Sequence, residues 1–175
     1  MELKVGQVIV ARPDMPDPFF DNSVIVILAH TQDGTLGLNV AGFMGDNLEP
    51  PFDGCKVFDG GPVDGTAIAL HKADLAVDGS QPLDDTGYVF TCLQLDANRK
   101  AQPADLIRRE GVEVVVGYSG WAMGELEGEM LMGAWAVSPA SLEAVLAAPA
   151  PERWNVAAKD ATFTPFAFGP LGSRS

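Results

Sequence analysis

The sequence predicts a single mixed α+β domain spanning residues 1–175, and three observations predict it. Strand-like runs outnumber helix-like ones, the two kinds do not alternate as regular βαβ units, and 175 residues is about one domain's length. A composition of 47% hydrophobic and 20% charged residues supports a packed core and excludes a disordered or fibrous chain. Eleven Lys and Arg against 24 Asp and Glu leave a net charge of −13. Such a charge repels phosphate backbones and anionic bilayers, so broad electrostatic capture of nucleic acid or a membrane is not expected. The partner expected is a protein.

The elements follow in order. Val5 to Ala11 is short and β-branched, and Ser23 to Ala29 is an apolar run suited to a strand buried on both faces. Between them Arg12 to Pro18 carries three prolines, which forbid regular hydrogen bonding. Asp33-Gly34 signals a hairpin into Thr35–Val40. Ala41 to Asp53, rich in Gly, Pro and Asp, reads as a surface loop. Lys56–Phe58, Thr66–Leu70 and Tyr88–Leu95 read as strands. Pro103 to Glu110 has a helix's start and stop residues, with Gly111 after it. Val112–Val116 returns to strand character. Ala122 to Leu131 and Ala140 to Ala147 read as helices, the second capped by Ser138-Pro139. Beyond Pro151 the pattern fades.

The N-terminus shows no basic segment followed by an apolar one, and no apolar run approaches the roughly 20 residues of a membrane span, so a cytoplasmic location is expected. Cys55 and Cys92 are expected as reduced thiols. Cys92, within a strand, is expected buried; Cys55, in a loop before Lys56, is expected to react faster.

Chemistry-bearing constellations are incomplete. Gly117-Tyr118-Ser119-Gly120 places its second glycine one residue too early for a Gly-x-Ser-x-Gly elbow, so Ser119 reads as a turn residue. Gly60-Gly61-Pro62 is flanked by Asp59 and Asp64 without a nearby Lys, which disfavours phosphate and leaves a tight β-connection. His30 and His71 are the two histidines; neither has metal spacing, though they would form an acid–base pair if the fold joined them beside Asp17 or Asp21. Glu125 and Glu129 share a helical face and read as solvated. The bases Arg99-Lys100 and Arg108-Arg109 flank one short helix without a second reading helix, so they read as a solvated face or a docking patch for an acidic protein, and direct DNA binding is not expected. No cofactor or metal is implied.

Three ordered segments carry a resemblance. Gly6 to Ile25 with His30, then Gly60-Gly61-Pro62-Val63 with Leu70-His71, then Gly117 to Trp121 with Gly124 to Glu129 and Trp135 resemble the AlgH/YqgE family of bacterial proteins. The resemblance implies a bifurcated mixed sheet, part of it closed into a small barrel, flanked by helices. It also implies a bacterial cytoplasmic protein of a family labelled as transcriptional regulators without a settled biochemical activity. Two stretches depart from the family pattern: Gly37 to Phe43 lacks its Arg-Pro pair, and Ala67-Ile68 replaces its Arg-Gly.

Loop ends gather at sheet rims, so Pro16-Asp17-Pro18, Gly60-Gly61-Pro62 and Tyr118 to Trp121 are expected to form one surface region. Asp17, Ser23, His30, Gly60, Gly61, Pro62, His71, Tyr118 and Trp121 are its candidate residues, with Trp121 partly covering it. The function expected is a non-catalytic regulator working through protein contacts, and the alternative is a small-ligand binder or enzyme at that shared site. A cleft with converging polar groups favours the second; a flat apolar face favours the first.

Overall fold

A computed structural model describes residues 3–13, 22–98 and 100–165. The strands are β1 (Val8–Ala11), β2 (Val24–Thr31), β3 (Gly34–Asn39), β4 (Phe43–Asn47), β5 (Asp53–Asp59), β6 (Val63–Lys72), β7 (Gln81–Pro82), β8 (Tyr88–Cys92), β9 (Gln94–Leu95), β10 (Ala101–Gln102), β11 (Glu113–Trp121) and β12 (Trp135–Val137). The helices are α1 (Glu125–Leu131), α2 (Leu142–Ala147) and α3 (Arg153–Ala158). Ten strands make one sheet in the order β12-β1-β2-β3-β11-β6-β8-β7, with β5 also on β11 and β4 on β5. The sheet curls into a half-barrel, as an α+β fold with three helices.

The branch lies on β11. Glu113 to Val116 pairs with β5 in parallel and with β6 antiparallel, whereas Ser119 to Trp121 pairs antiparallel with β3. One strand therefore serves two sheet arms, and Gly117 to Trp121 is strand rather than turn.

Side-chain alternation explains why β1 and β2 are apolar at every position. Val8, Val10, Val24 and Val26 enter the core shared with α2 and α3, and Ile9, Ala11, Ile25 and Ile27 enter a second core under α1. Period-2 geometry sends neighbours to opposite faces, so only a strand covered on both sides tolerates this run. The hairpin of β2 and β3 turns over Gln32-Asp33, in accord with its Asp-Gly signal.

Four expectations need correcting. Ala41 to Asp53 contains β4, an exposed and bulged edge strand that lacks the burial needed to mark it in sequence. Pro103 to Glu110 forms a single 3-10 turn at Leu106–Arg108, because Leu106 and Ile107 enter two different apolar clusters. The cap of α2 is Ser141, whose Oγ accepts from Ala144 N, while Ser138 Oγ donates to Ala157 O. The chain after Pro151 holds α3, a helix too short to show a periodic stripe.

The thiols are reversed. Cys55 is 3% exposed in β5, with Sγ donating to Ile107 O at 3.4 Å, and burial raises its pKa against the pull of Arg108. Cys92 is exposed at the end of β8. Alternation decides this: the residue before Lys56 points inward because Lys56 points out.

Candidate functional site

Two of the three family-like segments meet at the sheet branch. Gly60 follows β5 and donates its N–H to Val116 O at 2.8 Å, while its carbonyl accepts from Asn39 N at 3.0 Å and Ser119 Oγ at 3.3 Å. Asn39 Oδ1 in turn accepts from Val24 N and Ala41 N, and its Nδ2 donates to Ser23 Oγ. Ser23, Asn39, Gly60 and Ser119 are thus one hydrogen-bonded chain running across the fork, with Ser23 and Ser119 each 1% exposed.

The glycines are required by close backbone approach. A Cβ on Gly60 would lie 2.3 Å from Gly117 O, and one on Gly61, at φ +150°, 2.4 Å from Tyr118 C and O. Asp59 Oδ1 accepts from Gly61 N and holds the turn. A junction packed this tightly has no room for a ligand, and Ser119 Oγ, bonded to a carbonyl, is not presented as a nucleophile.

Trp121 is 5% exposed and lies in the α1-side core, not across a surface. It meets Trp135 edge-on at 5.9 Å, and both indole N–H groups donate to Glu129 Oε1, at 3.2 and 2.9 Å. Glu129 is therefore an internal acceptor rather than a solvated helix face. At the same end His30 Nδ1 lies 2.7 Å from Thr35 Oγ1, and Nε2 lies 3.6 Å from Glu127 Oε2.

His71 belongs elsewhere. It is fully buried, with Nε2 2.8 Å from Thr91 Oγ1 and Nδ1 3.1 Å from Lys72 O, and burial holds its pKa below the ordinary 6.5. His30 is in register with Thr35 and hence with Trp121, whereas His71 follows the partner of Glu113. At about 3.3 Å per residue the two ends of β11 are roughly 25 Å apart, so the histidines form no pair. Asp17, Pro16, Pro18 and Asp21 lie outside the described residues. Arg108, read as part of a basic patch, bonds to the carbonyls of Pro51 and Asp53 and pins that loop.

Beside Gly120 the sheet is bare. Leu36 Cδ2 and Tyr118 Cε2 stand 3.7 and 3.8 Å from where a Gly120 Cβ would be, and Val63 is opposite Tyr118 in register. Leu36 is 42% and Val63 38% exposed. The result is an apolar patch in which Leu36 adjoins the motif residues Tyr118 and Val63, with Pro62 and Asp64 exposed at its edge.

Sequence reasoning missed the charged centre of the other arm. Arg153, 3% exposed, uses all five donors: Nε to Ala148 O, the two terminal nitrogens bidentate to Glu113 at 2.8 and 2.5 Å, and further bonds to Val40 O and Leu146 O. Its guanidinium also lies over the Phe58 ring at 5.0 Å. A lone carboxylate in the Val-rich run Val112 to Val116 was the available signal, since such a residue on a buried strand needs a partner. This pair forms part of the wall of a groove of about 840 Å³. Among the described residues no group of three His, Cys, Asp or Glu is placed to hold a metal, and no helix is long and apolar enough to cross a membrane.

Half-barrel, forked β11 and glycine-closed junction define a class: a branched-sheet α+β protein whose motif residues knit two arms together. The chain belongs to the AlgH-like family, whose model matches residues 8–165. It is 37% identical over 168 residues to a UPF0301 protein of Alcanivorax borkumensis, covering 87% of this chain and 86% of that one. A UPF0301 protein of Vibrio cholerae is 32% identical over 176 residues, covering 90% and 91%. Among solved structures, the AlgH protein of Pseudomonas aeruginosa superposes with a TM-score of 0.65, 24% identity and coverage of 91% and 92%. A Corynebacterium diphtheriae protein gives 0.61, also at 24% identity, covering 87% and 80%. These structural likenesses speak for the fold.

Proposed function

We propose that this protein is a non-catalytic cytoplasmic regulator that works through protein contact and affects transcription indirectly. The observation that carries the reading is the contrast at the family-like segments: the fork beneath is closed by backbone, and the sheet beside it carries an apolar patch exposed at Leu36 and Val63, with Tyr118 half-buried between them. A face of this kind suits a protein surface better than a substrate, which needs a concave site. Asp64 at its edge, and a chain of net charge −13, favour a partner whose rim is basic.

The test complements a strain lacking the protein with the parent chain or with Leu36→Asp/Val63→Asp. The expected result is that the parent restores the transcript profile and the double variant, equally folded by circular dichroism, does not. Full complementation by the double variant would overturn the face. Promoter-specific DNA binding below micromolar, by anisotropy at about 150 mM salt, would overturn the indirect mode, since specific regulators bind at roughly 10⁻⁸ M or tighter.

A further inference from the structure

We propose that Ser80 is a modification site, a surface hydroxyl made nucleophilic through Thr91 by the buried imidazole of His71 and open to an activated acyl donor. It is separate from the apolar patch and does not depend on the protein-contact reading.

The strands set the three side chains in a line. His71 of β6 is two residues from Ala69, the register partner of Thr91 in β8, so the two side chains share a face. Gln81 of β7 pairs with Phe90, which brings Ser80 alongside Thr91. Thr91 Oγ1 lies 2.8 Å from His71 Nε2 and 2.7 Å from Ser80 Oγ. His71 and Thr91 are buried, whereas Ser80 is half-buried between the exposed Gly79 and Gln81. A base enclosed by the sheet is thereby wired to a hydroxyl at its edge.

One proton arrangement satisfies the chain. The Lys72 carbonyl can only accept, so His71 Nδ1, 3.1 Å away, carries the ring proton. Burial holds the ring's pKa below the ordinary 6.5, against the Lys72 carbonyl and Asp74, so the ring is neutral at neutral pH. Nε2 is then a bare acceptor, Thr91 donates to it, and Ser80 donates to Thr91. Ser80 Oγ itself accepts from Val77 N at 3.0 Å, a bond that stabilises negative charge growing on the oxygen. This is the nucleophile, base and orienting group of covalent catalysis, with one hydroxyl inserted as a bridge. Among the described residues the charged groups beside the ring are Lys72, exposed and next in β6, and Asp74 in the turn Ala73–Leu75. Opposite, β8 brings Val89 and Thr91, and β7 brings Gln81 and Pro82, none of which titrates.

In the step, Ser80 Oγ forms a bond to the acyl carbon, and the bond from that carbon to its leaving group breaks with the electron pair going to the group. The Oγ proton passes to Thr91 Oγ1 as the Thr91 proton passes to His71 Nε2. The imidazolium then returns a proton through Thr91 to the departing group.

An alkyl fluorophosphonate tests this on the full chain, its phosphorus standing in for the acyl carbon and its fluoride for the leaving group, with adducts located by peptide mass spectrometry. Labelling is expected at Ser80, at a rate level above about pH 7 and falling below the pKa of the ring, because only neutral His71 takes the proton. Thr91→Val and His71→Gln should each slow it about a hundredfold, the lower range of a general base's contribution. Thr91→Ser restores the bridging hydroxyl and should stay within about threefold of the parent. The two Thr91 variants, matched for fold by circular dichroism, keep the test decisive if His71→Gln does not fold. No adduct at Ser80, equal rates in Thr91→Val and Thr91→Ser, or a rate still rising about tenfold per unit at high pH, as for an ordinary hydroxyl, would each overturn the proposal.

Discussion

The two arms that share β11 are held together by different physics. At the Trp121 end, the fork between β3 and β5 is closed by backbone: Gly60, Gly61 and Gly117 let chains approach to distances at which a Cβ would collide. At the Glu113 end, the sheet is joined to α3 by one buried, bidentate Arg153–Glu113 pair. Gly60-Gly61 and Gly117 to Trp121 of the family-like segments meet at the first junction, and the open cavity lies at the second, lined by Tyr88, Glu143 and Arg153 outside those segments and by Leu70 within them. A recognisable glycine motif therefore marks where the fold must close, which need not be where a ligand enters.

Removing one partner of the charged junction should have the largest effect. Glu113→Ala leaves a buried guanidinium without its counter-charge, and a loss of about 3–5 kcal/mol is expected in urea unfolding. The double variant Glu113→Leu/Arg153→Met should recover to within about 1 kcal/mol of the parent, because two buried charges are expensive to desolvate. A double variant as unstable as the single would mean that the other bonds of Arg153, to Val40, Leu146 and Ala148, hold the arm.

The glycine junction should break differently. Gly61→Ala drives a methyl into Tyr118 and Ser119, and about 2–3 kcal/mol of destabilisation is expected. Gly65→Ala, at φ +99° with open space around it, should cost about 1 kcal/mol through backbone strain alone. Equal losses at Gly61 and Gly65 would show that conformation, not close approach, sets the requirement at the fork.

The smallest expected effect is on thiol reactivity, and it sharpens the comparison. In the native state Cys92 should label roughly tenfold faster than Cys55, which is buried with a raised pKa. Cys55 belongs to the β5 arm of the fork, so Gly61→Ala should speed its labelling while leaving Cys92 unchanged. Acceleration of both thiols would mean that the arms open together.

The sequence by itself determined the fold class, the doubly buried strands and the β2–β3 hairpin. The apolar run from Val24, the alternation around it and the Asp33-Gly34 turn are local signals, set by period-2 geometry and turn chemistry. That Gly60-Gly61 lies beside Tyr118 to Trp121 was expected because loop ends gather at sheet rims, but the close backbone approach that closes the fork was not legible. Only the tertiary structure decided that β11 forks, that His30 and His71 stand at opposite ends of it, and that Trp121 is core. It also decided that Glu113 finds Arg153 forty residues away, on a helix too short to announce itself. These are pairings between distant residues, and a chain's local periodicity carries no information about which distant partner a strand edge or a buried charge will meet.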